Sequence, residues 1–144
     1  MIPAPNCQRG FSMIELMIGL VVFGILVGMS IPSFQSYSLT QKLRGAAENL
    51  VQTIQLQRSR AMATGQDIDI NFNTAAPAAW TVMGEGRSTT TMLPLGVTYA
   101  SANPTSLRLL HDGRVSASGL IVLLNRTGDC DTVSVQLSGL AMIR

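Results

Sequence analysis

The sequence predicts an α+β protein: one long N-terminal helix packed on a small, mainly antiparallel β-head. Three observations carry this. Residues 16–31 form a run of 16 positions without a charge. Apolar residues then recur three or four apart as far as Ala61, the period of a one-sided helix. After Gly65 the period changes to two, and Gly, Pro and Asp-Gly turn signals separate the alternating runs.

Composition excludes several classes before any motif is read. The 144 residues are a one-domain length, 47% hydrophobic and 12% charged, against roughly 25% charged in an ordinary domain. Such a chain is too apolar for disorder and too short for many membrane spans. A formal charge of +2 gives no strong global field to recruit nucleic acid. One His and two Cys are too few for a protein-built zinc site, so no metal or cofactor is expected.

The elements follow in order. Residues 1–10 (MIPAPNCQRG) contain two prolines and one charge, Arg9. Residues 11–34 hold 16 hydrophobic residues and a single charge, Glu15. As a helix this block is ~36 Å long, enough for a hydrocarbon core of ~30 Å. A buried core helix is the alternative, but the polar remainder could hardly cover it on all sides. A secretory signal peptide is a closer competitor, because Gly28-Met29-Ser30 before Ile31 offers a cleavage pattern. Against it stand Glu15 near the start of the apolar block and the continuation past Ile31 as helix.

That continuation spans residues 35–64. Leu43, Ala46, Ala47, Leu50, Val51, Ile54 and Ala61 mark the apolar face, with Lys42, Arg44, Glu48, Gln52 and Gln55 between them. Arg44 and Glu48 are spaced as an i,i+4 pair, and Gly65 is placed to stop the helix. Pro32 lies inside the helix and is expected to bend it or open a turn. In the head, residues 65–144, strands are expected at residues 67–72, 81–83, 106–110, 120–124, 132–137 and 140–143. Residues 75–79 and 84–91 read as loops. The second half of the helix is expected to cover one sheet face.

The stretch Arg9-Gly10-Phe11-Ser12-Met13-Ile14-Glu15-Leu16-Met17 closely resembles the processing site of type IV pilins and type II secretion pseudopilins. The resemblance implies cleavage by a prepilin peptidase after Gly10 and methylation of the new terminus, Phe11. It makes residues 1–10 a leader and residues 11–34 a membrane and filament stem. It also makes Glu15 the assembly residue, paired with the free N-terminal amine of a neighbouring subunit. The physics of Glu15 agrees. A carboxylate in a bilayer costs roughly 2.5–3.5 kcal/mol on insertion scales, so it is tolerated near an interface or kept for a partner. An acid favoured by the helix dipole explains a carboxylate near Phe11 but not the whole constellation. Gly24 and Gly28 form a small-xxx-small pair suited to close helix packing. With Pro32 they mark the stretch that loosens in filaments of this family.

The head resembles the minor pseudopilin group FimT/GspH. The cues are Gln57-Arg58-Ser59-Arg60-Ala61-Met62-Ala63-Thr64-Gly65, Leu109-Leu110-His111-Asp112-Gly113-Arg114, and Leu123-Leu124-Asn125-Arg126-Thr127-Gly128. The resemblance implies a low-abundance subunit that initiates or caps a filament. Its partners would be the peptidase, other pilins and the bacterial inner membrane, with the head in the periplasm. Positive-inside bias is weak support, since the leader has only Arg9 while Lys42 and Arg44 lie on the translocated side.

Many pilins close their last segment with a disulfide, and here the chain departs. Cys7 falls in the leader, leaving Cys130 alone. Some members of the group bind DNA through a Gly-Arg-x-Arg motif near the C-terminus. The tail Gly139-Leu140-Ala141-Met142-Ile143-Arg144 lacks it. Arg108, Arg114, Arg126 and Arg144 remain candidates for a DNA patch, though a solvated surface is the simpler reading. No catalytic constellation is expected. His111-Asp112 reads as a surface turn, and Asn125-Arg126-Thr127 as a turn rather than a glycosylation site. The favoured function is a minor filament subunit rather than an enzyme. The alternatives are a DNA-binding pilin of natural transformation and a single-span anchored domain that never polymerises.

Overall fold

The computed structural model describes residues 11–144, and for residues 29–34 the backbone alone. One helix, α1 (Met13–Thr64), precedes eight strands. These are β1 (Ile68–Asn73), β2 (Ala79–Gly84), β3 (Arg87–Met92), β4 (Val97–Asn103), β5 (Ser106–Leu109), β6 (Gly119–Asn125), β7 (Cys130–Val135) and β8 (Ala141–Ile143). The chain divides into two compact units, Met1–Gln35 and Ser36–Arg144.

In the first unit the described part of α1 keeps its side chains in the open. Phe11 is 84% and Met13 87% exposed, and every large apolar residue from Ile14 to Val27 is at least 45% exposed. Among the described residues no helix is long and apolar enough to cross a membrane. The expected span of residues 11–34 runs past the residues whose side chains are described, so it is not tested there. The described apolar side chains stop at residue 28, giving about 24 Å of helix against ~30 Å of hydrocarbon. Helical backbone carries through residue 32, so the turn expected at Pro32 does not open, while its side chain lies outside the described residues.

The second unit is a sandwich of two antiparallel sheets and the amphipathic half of α1. The single sheet expected from the sequence is in fact two, ordered β3-β2-β1-β5 and β4-β6-β7-β8. The helix delivers Leu43, Ala46, Ala47, Leu50, Ile54 and Ala61 to the core, with Val51 partly buried beside them. These are the residues that the three-four spacing selects. Gly65 ends the helix by donating its N–H to Ala61 O at 2.9 Å, in the backbone conformation (φ 68°) of a helix stop. Alternating strand residues complete the core: Ile68, Ile70 and Phe72 from β1, Leu107 and Leu109 from β5, Ile121 and Leu123 from β6, Val133 and Val135 from β7. Tyr99 of β4 ties the sheets together. Its ring meets Phe72 edge-on, with centroids 6.2 Å apart, and its hydroxyl donates to Ala79 O at 3.4 Å. Burial raises the Tyr99 pKa.

Two strands were hidden from the pattern. Residues 84–91 are not a loop but the end of β2, a turn and β3. Glu85 and Gly86 make that turn with φ of 55° and 72°, the two positive values a two-residue hairpin favours. Strand β4 lies where no alternation was evident, because a bulge between Tyr99 and Ser101 shifts its register.

Candidate functional site

At the described start of the chain, Leu16 donates its N–H to Ser12 O at 3.2 Å, and Glu15 sits in the first turn of α1. The positive end of the helix dipole favours an acid at that place. Four-residue spacing puts Phe11, Glu15 and Gly19 on one face, joined by Leu16, Leu20 and Phe23 around a shallow concavity. Gly19 lines the concavity, and a Cβ there would meet nothing within 4 Å. Among the described residues, Glu15 has no hydrogen-bond or ion-pair partner. An apolar notch with one unpaired carboxylate at its rim can receive a cation carried on an apolar chain. Gly24 and Gly28 are also open toward their surroundings. Gly10, Arg9 and Cys7 lie outside the described residues.

The four arginines proposed for DNA fall in two groups along β7. The Arg108 guanidinium grips Asp69 at both oxygens, Nε–Oδ1 2.7 Å and Nη2–Oδ2 3.0 Å. This pairing raises the Arg108 pKa and occupies the fork a phosphate would need. Arg114 lies in the turn after β5, next to Val115, whose N–H donates to Leu137 O just past the end of β7. Arg126 and Arg144 lie toward the other end of β7. Arg126 is in the β6–β7 turn, and Arg144 donates its N–H to Thr132 O. The length of β7 separates the two groups.

Several polar clusters were invisible to sequence reading. Asn125 is buried, and its Oδ1 accepts from Thr127 N–H (3.0 Å), Thr127 Oγ1 (2.7 Å) and Asp129 N–H (2.9 Å). Its amide donates to Asp129 Oδ2 at 2.9 Å, which also accepts from Thr40 Oγ1 on α1 at 3.1 Å. These bonds lower the Asp129 pKa, Asn125 contributing most, then Thr127 and Thr40. They make residues 125–129 a knotted turn, with the Asn125 amide already used. His111 is indeed at an exposed turn, but its partner is Asp67, not Asp112: Nδ1 and the backbone N–H both lie 3.1 Å from Asp67 Oδ1. The side-chain bond to His111, then the backbone one, lowers the Asp67 pKa. Asp112 caps the turn by accepting from Arg114 N–H at 2.9 Å. Arg58 donates through Nε to Gly113 O at 2.7 Å, and Gly139 packs onto both partners. Cys130 is an exposed free thiol. No cluster of metal-ligating side chains occurs among the described residues.

A long helix with an acid in its first turn, followed by a helix-covered β-head, is the pilin-like α+β architecture. The comparisons with known proteins agree. The family model described as the prokaryotic N-terminal methylation motif matches residues 5–31. A fimbrial protein of Moraxella nonliquefaciens is 30% identical over 102 residues, covering 65% of this chain and 66% of that protein. A fimbrial protein of Pseudomonas aeruginosa is 37% identical over 64 residues, 44% of this chain and 40% of its own length. The chain thus spans just under two thirds of the first relative and about two fifths of the second. Among solved structures, the minor pseudopilin EpsH from the Type 2 Secretion System of Vibrio cholerae matches with a TM-score of 0.56 at 15% identity. That match covers 72% of this chain and 96% of EpsH, and it bears on the fold. The chain carries the N-terminal methylation motif over residues 5–31 and is similar to type IV pilin-like proteins in sequence and in fold.

Proposed function

We propose that the chain is a minor subunit of the FimT/GspH group, incorporated into a type IV pilus or type II secretion pseudopilus to initiate or cap it. A prepilin peptidase cleaves after Gly10 and methylates Phe11. Residues 11–34 insert in the bacterial inner membrane, with residues 36–144 on the periplasmic side, and later enter the filament core. Glu15 then pairs with the N-terminal amine of a neighbouring subunit. The residues from Gly24 to Pro32 loosen as the subunits pack.

The observation that carries this reading is the face shared by Phe11, Glu15 and Gly19. Cleavage between Gly10 and Phe11 creates an amine one helical turn from a carboxylate that has no described partner within the chain. A charge held among apolar side chains needs a partner, and an amine at the same depth on the next subunit provides one. In a chain that only anchored a domain, the acid would gain no more than the modest stabilisation of the helix dipole.

The test is co-expression with partner subunits. Glu15→Val is expected to abolish co-assembly while cleavage after Gly10 continues. Normal incorporation of that variant would overturn the pairing. An N-terminus at Met1 in a peptidase-positive host would favour the non-polymerising anchor.

A further inference from the structure

A groove in the head has a different character from the stem. It runs between the last turns of α1 and the β2–β3 hairpin, with Ile68 at its floor. The helix contributes Thr53, Leu56, Gln57 and Arg60, and the hairpin contributes Arg87, Thr89 and Thr91. Gln57 is the telling residue. It is only 9% exposed, it faces the groove, and among the described residues its amide has no hydrogen-bond partner. The amide is open to the groove, where a polar occupant would replace water as its partner. Arg60 and Arg87 have no carboxylate partner among the described residues, and Glu85 is the acid on the rim.

The groove also adjoins an open sheet edge. Strand β3 ends its sheet and pairs with β2 alone. Gly84 opposite Arg87 closes a two-residue hairpin, so these two exchange both backbone hydrogen bonds. Every second pair does the same, which turns the backbone groups of Ser88, Thr90 and Met92 outward. The strand carries neither Pro nor Lys, the usual guards of an exposed edge. Side chains of a strand added there would alternate, and those on the helix side would lie beside Arg87, Thr89 and Thr91.

We propose that this groove binds an extended acidic polypeptide segment. The segment adds to the sheet along β3, sets a carboxylate against Arg60 and Arg87, and gives Gln57 a hydrogen-bond partner. The site lies wholly within residues 36–144 and does not depend on the filament reading.

The test uses the full chain in neutral detergent and a fluorescein-labelled peptide of alternating Val and Asp, followed by anisotropy. Binding is expected, and Arg60→Glu or Arg87→Glu should each weaken it about tenfold, while Arg126→Glu leaves it unchanged. Replacing the peptide's Asp by Asn should also weaken it about tenfold. Strand addition is tested without altering the fold, by N-methylating alternate peptide amides. One methylation register should abolish binding and the other should preserve it. No binding, equal affinity for the Asn peptide, or indifference to both methylation registers would each overturn the proposal. Duplex DNA displacing the peptide, combined with that indifference, would make the site a plain anion patch.

Discussion

Residues 11–28 and residues 40–61 lie in the same helix and are both rich in Leu, Ile and Val, yet their apolar side chains end differently. Leu50 and Ile54 are fully buried, whereas Leu20 and Phe23 are about two-thirds exposed. What separates the two halves is that the second has sheets from its own chain to cover it, on the one stripe its sequence keeps apolar. The first is apolar all round, which suits a surrounding of lipid or of other helices rather than a single packed face. Glu15 is the exception in that half, and it has the spacing to Phe11 that the processing motif requires.

Trp80 is fully buried, and Trp80→Ala is expected to destabilise residues 36–144 by about 3–5 kcal/mol in urea denaturation. Its Nε1 has no partner, so Trp80→Phe should cost markedly less, since it removes an unsatisfied donor along with volume. Leu20→Ala in the stem should leave that transition where it is. A shared loss of stability would mean that the apolar surface of residues 11–28 supports the head.

Gly139→Ala should come next, at about 2 kcal/mol. The backbone there has φ of 80°, and a Cβ would run into the Gly113 carbonyl and the Arg58 side chain. The Arg58–Gly113 hydrogen bond joins the helix to two turns, so the loss should appear as earlier exchange of amides in both turns. Asn125→Ala is expected to cost roughly 1–3 kcal/mol, because it strips the buried hub of the β6–β7 turn. Hydrogen exchange at the Thr127 and Asp129 amides, which bond to Asn125, would report it directly.

The head was legible where one physical rule acted alone. Burial on one side imposes period two, and β1, part of β2 and β7 could be read from it. The helix face from Leu43 to Ala61 followed from period 3.6 in the same way. Strand β3 escaped because Ser88, Thr89 and Thr90 are exposed on both faces of an edge, leaving no alternation to see. Strand β4 escaped because its bulge interrupts the alternation after Tyr99. The candidate site divides similarly. Gly10, Phe11 and Glu15 are a local motif and stand out in the sequence. The groove beside β3 draws on residues from Thr53 to Thr91 in several elements, and only folding brings them together. A spatial patch of Arg108, Arg114, Arg126 and Arg144 was a guess of that second kind, and Asp69 holds the first of them.

The smallest expected effect concerns acid, and it separates the head's two exposed carboxylate clusters. Asp67 and Asp129 both have folded pKa values lowered from the ordinary carboxylate value. A lowered folded pKa contributes stability that is present above the unfolded value and is lost as pH falls toward the folded one. The unfolding midpoint of residues 36–144 should therefore be flat from neutral pH to about pH 5 and decline below about pH 4. Asp67→Asn and Asp129→Asn should each make that decline shallower, with variant and parent converging at the lowest pH. Salt distinguishes them. The Asp129 shift comes from neutral donors, Asn125, Thr127 and Thr40, so high salt should leave its share of the decline in place. Asp67 is held down by its hydrogen bonds to His111 and also by the charges of His111 and Arg108, so salt should reduce its share. Equal salt sensitivity in the two variants would show that net charge, not the knotted turn, sets the acid limit of the head.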